Sequence, residues 1–340
     1  MKRFIFYIIM ILSIVLFNQS QSLLAQTAGY KVTGNIIIGG GVKWDYLSIQ
    51  KSSNRLFVSH DTEVVVINLD SNKVIGRIGG LKGVHGIAFA SKIGKGFISE
   101  SKNNSVLIFD LNSLQTIREI KTTGDDPDAI VYDPFTERIF TSNGKSTNST
   151  AIDAKTGEIA GTVKLSGSAE SSVSDSKGRM FFNIENENEI NVIDPKTLTL
   201  IDKWKTSPCE QPTAIAMDKK NNRIFVGGRN QTLAVIDAGS GKVISTFPIG
   251  KGVDACAYDS ETHLIFCSNK DATITVIEQD SADKYELVGH IATLPGAKTI
   301  ALDVNTHRIY SSTMVNVEND KQSFGVLIID KKWIENNSHL

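Results

Sequence analysis

Seven positions, one from each of seven similar segments, carry the residues of this 340-residue chain best suited to chemistry: Asp45, His85, Asp128, Glu170, Thr213, Asp254 and Lys298. Each stands 12 residues before a recurrent aromatic, or 11 in the fourth case. Carboxylates, an imidazole and an ammonium gathered at one place can bind a cation, hold an organic ligand or move a proton, with His85 the candidate general acid or base. Carboxylates that share a site repel one another unless a cation, the Lys298 ammonium or a ligand offsets them. Asp45, Asp128, Glu170 and Asp254 are the candidate metal ligands, an oxygen-rich set that suits calcium, magnesium or manganese better than zinc. The ligand-binding set adds His85, Lys298 and Trp44, with Asp126, Glu210 and Gln211 in the adjoining loops.

What must position these residues is a repeat. The tetrapeptides NRLF, GKGF, ERIF, GRMF, NRIF, HLIF and HRIY end at Phe57, Phe97, Phe140, Phe181, Phe225, Phe266 and Tyr310, in steps of 40, 43, 41, 44, 41 and 44 residues. A period of forty-odd residues with strand patterns and no helical stretch is the signature of a β-propeller. The expected fold is all-β, a seven-bladed propeller of four-stranded antiparallel blades. Within a unit, a short alternating strand such as Ala129–Tyr132 or Thr213–Met217 comes first, and the aromatic marks the second strand. A third strand ends at Asn68, Asp110, Asp153, Asp194, Asp237, Glu278 or Asp330, and a turn leads to a fourth, as in Lys242–Phe247. The start of the first strand and the loop between the second and third fall at the same end of a blade, with the first strand innermost. The seven positions should therefore ring one mouth of the central channel. The aromatics are assigned to packing between blades, and the recurrent acids to capping the turns that follow them.

The termini complete the ring. Tyr30–Gly41 reads like the fourth strand and exit of the first unit, residues 72–83, and is expected to be the outer strand of the seventh blade. From Tyr310 to Asp330 is 20 residues, against 11 to 13 in the other units, so blade seven carries an insertion around Thr313–Ser323. It is read as a lid, a partner-contact loop or a plain surface excursion.

Lys2 and Arg3 precede an apolar run from Phe4 to Phe17 and a polar stretch to Ala25, the order of a secretory signal peptide over residues 1–25. The apolar run falls short of the ~20 residues that span a bilayer. The expectation is one propeller domain over 28–335, monomeric, periplasmic or secreted, with no membrane span after cleavage. The chain holds 36 basic and 37 acidic residues, and loss of Lys2 and Arg3 leaves 34 against 37. Without a basic excess, the composition argues against nucleic acid as a partner. Of the three cysteines Cys209 stands alone, while Cys256 and Cys267 lie on consecutive strands whose turn is centred near Glu261, a placement that could let them face one another across a ladder. Two buried thiols are expected there, a cross-strand disulfide being the alternative.

The strings RIFVGG at 223–228, VINLDSNKVIGRI at 66–78 and AVIDAGSGKVISTFPIG at 234–250 resemble the YVTN-repeat propellers, in an order similar to the exported YncE-type branch over roughly residues 30–330. Gly83–Gly86, Asp126–Ala129, Pro208–Pro212 and Gly252–Ala255 resemble the inter-blade strings of exported relatives. The resemblance implies the propeller fold and a site at those strings; for some relatives it implies single-stranded DNA binding. The residues themselves favour an exported binding module whose acidic funnel holds a small cationic or hydroxylated ligand, a cation such as calcium, or a partner protein. The chain lacks GxSxG, HExxH and CxxCH motifs. The alternative is a metal-dependent lactonase- or lyase-like enzyme that uses the same funnel; the third reading is single-stranded DNA binding.

Overall fold

The computed structural model describes residues 29–317 and 321–332; the signal expected over 1–25 lies outside them. Among the described residues, 28 strands form seven four-stranded antiparallel sheets. Six sheets are sequential, spanning 44–78, 84–121, 127–164, 169–205, 212–248 and 253–292. The seventh combines Ile300–Asp303, Arg308–Asn316 and Gln322–Lys331 with the N-terminal Tyr30–Ile37, whose register runs from Tyr30 opposite Lys331 to Ile37 opposite Gly325. The ring closes as the sequence predicts, and the outer edge of the seventh blade is covered by the start of the chain. No helix among the described residues is long and apolar enough to cross a membrane.

The repeated aromatics build the core. Phe57, Phe97, Phe140, Phe181, Phe225, Phe266 and Tyr310 are all fully or almost fully buried. Each apolar cluster joins neighbouring blades: Phe97 packs with Ile130 and Ile139 of the next blade, and Phe57 with Ile98 and Phe109. Burial of one such ring contributes about 1.5–3 kcal/mol, and the closed array gives every blade two neighbours.

The recurrent acids cap turns. Asp153 Oδ1 accepts hydrogen bonds from Thr156 N at 2.7 Å and Thr156 Oγ1 at 3.0 Å. Asp110, Asp194 and Asp237 do the same for their own turns. A second capping column, Asp133, Asp218, Asp259 and Asp303, closes the turn after the first strand in four blades.

Three details depart from expectation. The third strand of blade six does not stop at Glu278 but runs to Ser281 and pairs with Lys284–Ala292 in a long outer hairpin. The blade-seven insertion lengthens two strands, which stay paired out to Asn316 opposite Gln322; residues 318–320 of that stretch lie outside the described residues. Cys256 and Cys267, directly opposite across the ladder, are joined as a disulfide rather than left as two thiols. Their Cα atoms stand 4.2 Å apart. Cys209 is a buried free thiol, pushed by burial up to about 12.

Candidate functional site

First strands line the channel. A cavity of about 200 Å³ on the axis is bounded by first-strand residues of all seven blades, from Tyr46 and Ser48 round to Ile300. Six of these strands change register near their start, between Trp44 and Leu47 in blade one and between Val84 and Ile87 in blade two, for example. Such a bulge re-aims the side chain it carries, and six of the seven charged or polar positions fall in or beside one, while Lys298 stands two residues before the blade-seven strand Ile300–Asp303, which has no register change.

A hydroxyl column two residues beyond the aromatics fixes the backbone at these bulges. Ser59 donates to the carbonyl of His85, Ser99 to that of Asp128 at 2.5 Å, and Thr299, itself paired with Ser312 at 3.0 Å, to that of Asp45 at 2.8 Å. Ser268 donates to the Lys298 carbonyl, and Asn183 Nδ2 to that of Ala214. Each latch crosses from one blade to the next. The latch on Asp128 depends on Gly86, where a Cβ would lie 2.8 Å from Ile130 Cγ2 and 3.1 Å from the Asp128 carbonyl oxygen. Absence of a side chain there lets the second and third blades come close enough for His85 to meet Asp128.

The side chains form three groups. In the first, His85 Nδ1 lies 2.6 Å from Asp45 Oδ2 and 3.1 Å from Asp128 Oδ1, while Nε2 contacts Ser101 Oγ at 3.0 Å. Burial alone would lower the His85 pKa, but the carboxylates of Asp128 and Asp45 outweigh it and hold the imidazolium up to about 10. Burial pushes Asp128 above the usual carboxylate range despite His85 beside it. In the second group, Lys298 Nζ stands 2.8 Å from Asp254 Oδ2 and 3.6 Å from Asp45 Oδ1. Burial opposes that charge, and Asp45 and Asp254 more than restore it. In the third, Glu170 faces Glu185 and Arg229: Arg229 pairs through Nε with Glu185 and approaches Glu170 at 3.9 Å. Burial, then the hydrogen bond shared with Glu185, raises Glu170 to about 8, so it holds a proton at neutral pH.

Tyr46 connects the groups. Its hydroxyl reaches across the channel to the Glu170 carbonyl at 3.4 Å, and its pKa is driven well above normal by burial and by the charges of Asp128, Asp45, Asp254 and Glu170. One phenol thus feels carboxylates from four blades, which places them around a common centre.

The column therefore converges, with one exception. Thr213 is buried and donates to the Val253 carbonyl at 3.1 Å, taking the place of a latch where the hydroxyl column has Gly227. Trp44 serves two surfaces: it stacks on Phe324 with centroids 5.2 Å apart, and it borders a side cavity of about 150 Å³ with Asp45, His85 and Ser101. Asp126 pairs with Lys145 at 3.3 Å at the rim, and Glu210 is exposed. The four-carboxylate metal set does not assemble, because Lys298 engages Asp254 and Glu170 turns to Glu185 and Arg229. Asp45, His85 and Asp128 form the group that could hold a metal, their ligand atoms lying within 4.8 Å of one another.

Ser101, Glu185, Arg229 and Tyr46 complete the site and were not singled out from the sequence. The first three stand four residues after Phe97, Phe181 and Phe225, in a column that reads Asp61, Ser101, Gly144, Glu185, Arg229, Lys270, Met314. This column varies between units as much as the first, and that variation is the signal by which it could have been found. Arg229 adds a positive charge to the mouth beyond the His85 and Lys298 expected there.

No family model matches the chain, and no curated protein matches it. Solved structures resemble it in fold. A structure of U3-55K aligns with a TM-score of 0.73 at 9% identity, over 88% of this chain and 98% of that one. The RRP9 WD40 repeats align at 0.75 and 9%, over 88% and 97%. Kuenenia stuttgartiensis hydrazine synthase aligns at 0.71 and 14%, over 84% and 96%. The chain shares the seven-bladed propeller architecture with these structures, and at these identities the likeness extends to the fold alone.

Proposed function

We propose that this chain is an exported binding module of the YncE-type YVTN branch, and that the channel mouth takes a small ligand rich in hydrogen-bond donors or positive charge. The observation that carries the reading is the gathering of partly buried charges from blades one, two, three, four, six and seven round Tyr46. Packing does not require it: burying charge costs free energy even when it is paired, and apolar or hydroxyl residues fill equivalent space elsewhere in the ring. A fold that keeps such a cluster at the end of a cavity uses it for recognition. Its acceptor side, Asp128 Oδ1 and the Glu170–Glu185 pair, favours amines, polyols or cations. Export is inferred from the Lys2–Ala25 pattern, and a disulfide between Cys256 and Cys267 agrees with an oxidising compartment. A lactonase- or lyase-like reaction is the second reading, favoured by the protonated Glu170 near a candidate metal group. DNA phosphates would meet the carboxylates of Asp45, Asp128, Asp254 and Glu185, which disfavours the third.

Thermal-shift measurement with amines, sugars and divalent chlorides tests the proposal. At least one class should raise the melting temperature of the wild type and leave Asp128→Asn and Glu170→Gln unmoved. Shifts that persist in both variants, or no shift with any class, would contradict it.

A further inference from the structure

We propose that Asp45, His85 and Asp128 form a binding site for one divalent first-row transition ion, through one carboxylate oxygen from each aspartate and Nδ1 of the histidine. This rests on the reading that the channel mouth is the functional face, and it names what that face holds. The distances fit. Ligands about 2.0–2.2 Å from a common ion stand roughly 3 Å from each other, and here Nδ1 lies 2.6 Å from Asp45 Oδ2 and 3.1 Å from Asp128 Oδ1.

A second observation points to a missing partner. Asp128 Oδ1 is shut off from solvent, and its near partner is His85 Nδ1 at 3.1 Å, a single ring nitrogen that Asp45 Oδ2 also claims at 2.6 Å, so one N–H serves two carboxylates. A cation on the shared face of the three residues would satisfy that oxygen. The ion replaces the Nδ1 proton, which leaves to solvent.

The surroundings are those of a built site. Metal-bound histidines are oriented by a hydrogen bond from the other ring nitrogen, and His85 Nε2 contacts Ser101 Oγ at 3.0 Å, whose hydroxyl also reaches the Gly83 carbonyl at 3.3 Å. The backbone carbonyl of each of the three residues is held by a hydroxyl from the preceding blade: Thr299 for Asp45, Ser59 for His85 and Ser99 for Asp128. The donor set selects the ion. Calcium takes six to eight oxygens, and the neighbouring Asp254 and Glu170 are engaged elsewhere, whereas one imidazole with two carboxylates suits manganese, iron, cobalt or zinc. Three protein ligands leave positions open to water or to an oxygen of a second ligand.

The test is titration calorimetry of the untagged, chelator-stripped chain with zinc, manganese and calcium chlorides, alongside visible absorption on adding cobalt chloride. One equivalent of zinc or manganese should bind, and cobalt should give ligand-field bands. His85→Gln and Asp128→Asn should abolish both, and Ser101→Ala should weaken binding about tenfold through the ring orientation alone. Melting curves confirm that each variant folds; if His85→Gln does not, Asp128→Asn and Ser101→Ala carry the test. Absence of stoichiometric zinc, manganese and cobalt, binding of calcium alone, or binding unchanged in folded variants would overturn the site. An amine or sugar that still binds a metal-indifferent mouth overturns this inference alone; if neither metal nor organic ligand binds, the broader reading falls with it.

Discussion

The Ser99 hydroxyl of the second blade accepts the Gly86 amide at 2.8 Å and donates to the Asp128 carbonyl of the third blade at 2.5 Å. One side chain thereby ties the backbone beside His85 to the backbone of Asp128. The separation of the two site residues is set by this tie and by the missing Cβ of Gly86.

Ser99→Ala should therefore destabilise the fold by about 1–3 kcal/mol, because it strands a buried amide and carbonyl. Ser142 occupies the same column in blade three, but its buried hydroxyl has no partner, so Ser142→Ala should leave stability unchanged or raise it. Denaturant unfolding of the two variants makes the comparison; equal losses would show that the column acts by packing alone.

Stability should fall with rising pH through Glu170. Its folded pKa of about 8 lies above the ordinary carboxyl value, so between about 4.5 and 8 the folded state holds a proton that the unfolded state has released. The contribution is complete below that window and lost as pH rises through it. Glu170→Gln, which cannot titrate, should flatten the melting-temperature profile over this range. A slope equal to that of the wild type would remove Glu170 as its source.

Thiol counting follows from the cysteine pattern. In the native protein a thiol reagent should label none of the three cysteines, since Cys209 is buried and poorly ionised. Unfolding without reductant should expose one thiol, and with reductant three. Three without reductant would mean that Cys256 and Cys267 are not joined.

The architecture was legible because it is written in periods. The aromatic at Phe57, Phe97 and their equivalents, the turn-capping acid at Asp110 or Asp153, and the likeness of Tyr30–Gly41 to a fourth strand recur with the ring itself. The first site column was legible for the opposite reason: in a frame that repeats, Asp45, His85 and Lys298 stand out by differing. What stayed hidden depends on angles within that frame. Which carboxylate each cation chooses follows from bulge geometry, so nothing in the spacing showed that Lys298 would take Asp254 or that Glu170 would turn to Glu185 and Arg229. Cys256 and Cys267 could be placed opposite each other, but register alone does not decide whether two facing thiols are oxidised.

Closure of the ring by its first strand has its own consequence. A chain lacking residues 1–37 should lose the partner of Gly325–Lys331 and expose a long strand edge. Size-exclusion chromatography should show aggregation or strand-swapped oligomers where the full-length chain elutes as one species. A well-behaved truncated monomer of unchanged melting temperature would show that this pairing is dispensable.

The account rests on the mouth column, and not the repeated turn acids, being the place where ligands are held. Anomalous diffraction at the zinc edge from crystals of the full chain soaked in zinc chloride decides between them. The strongest peak should lie among Asp45, His85 and Asp128. A map whose peaks sit only at turns such as those capped by Asp110 and Asp153, with none at the mouth, would contradict it.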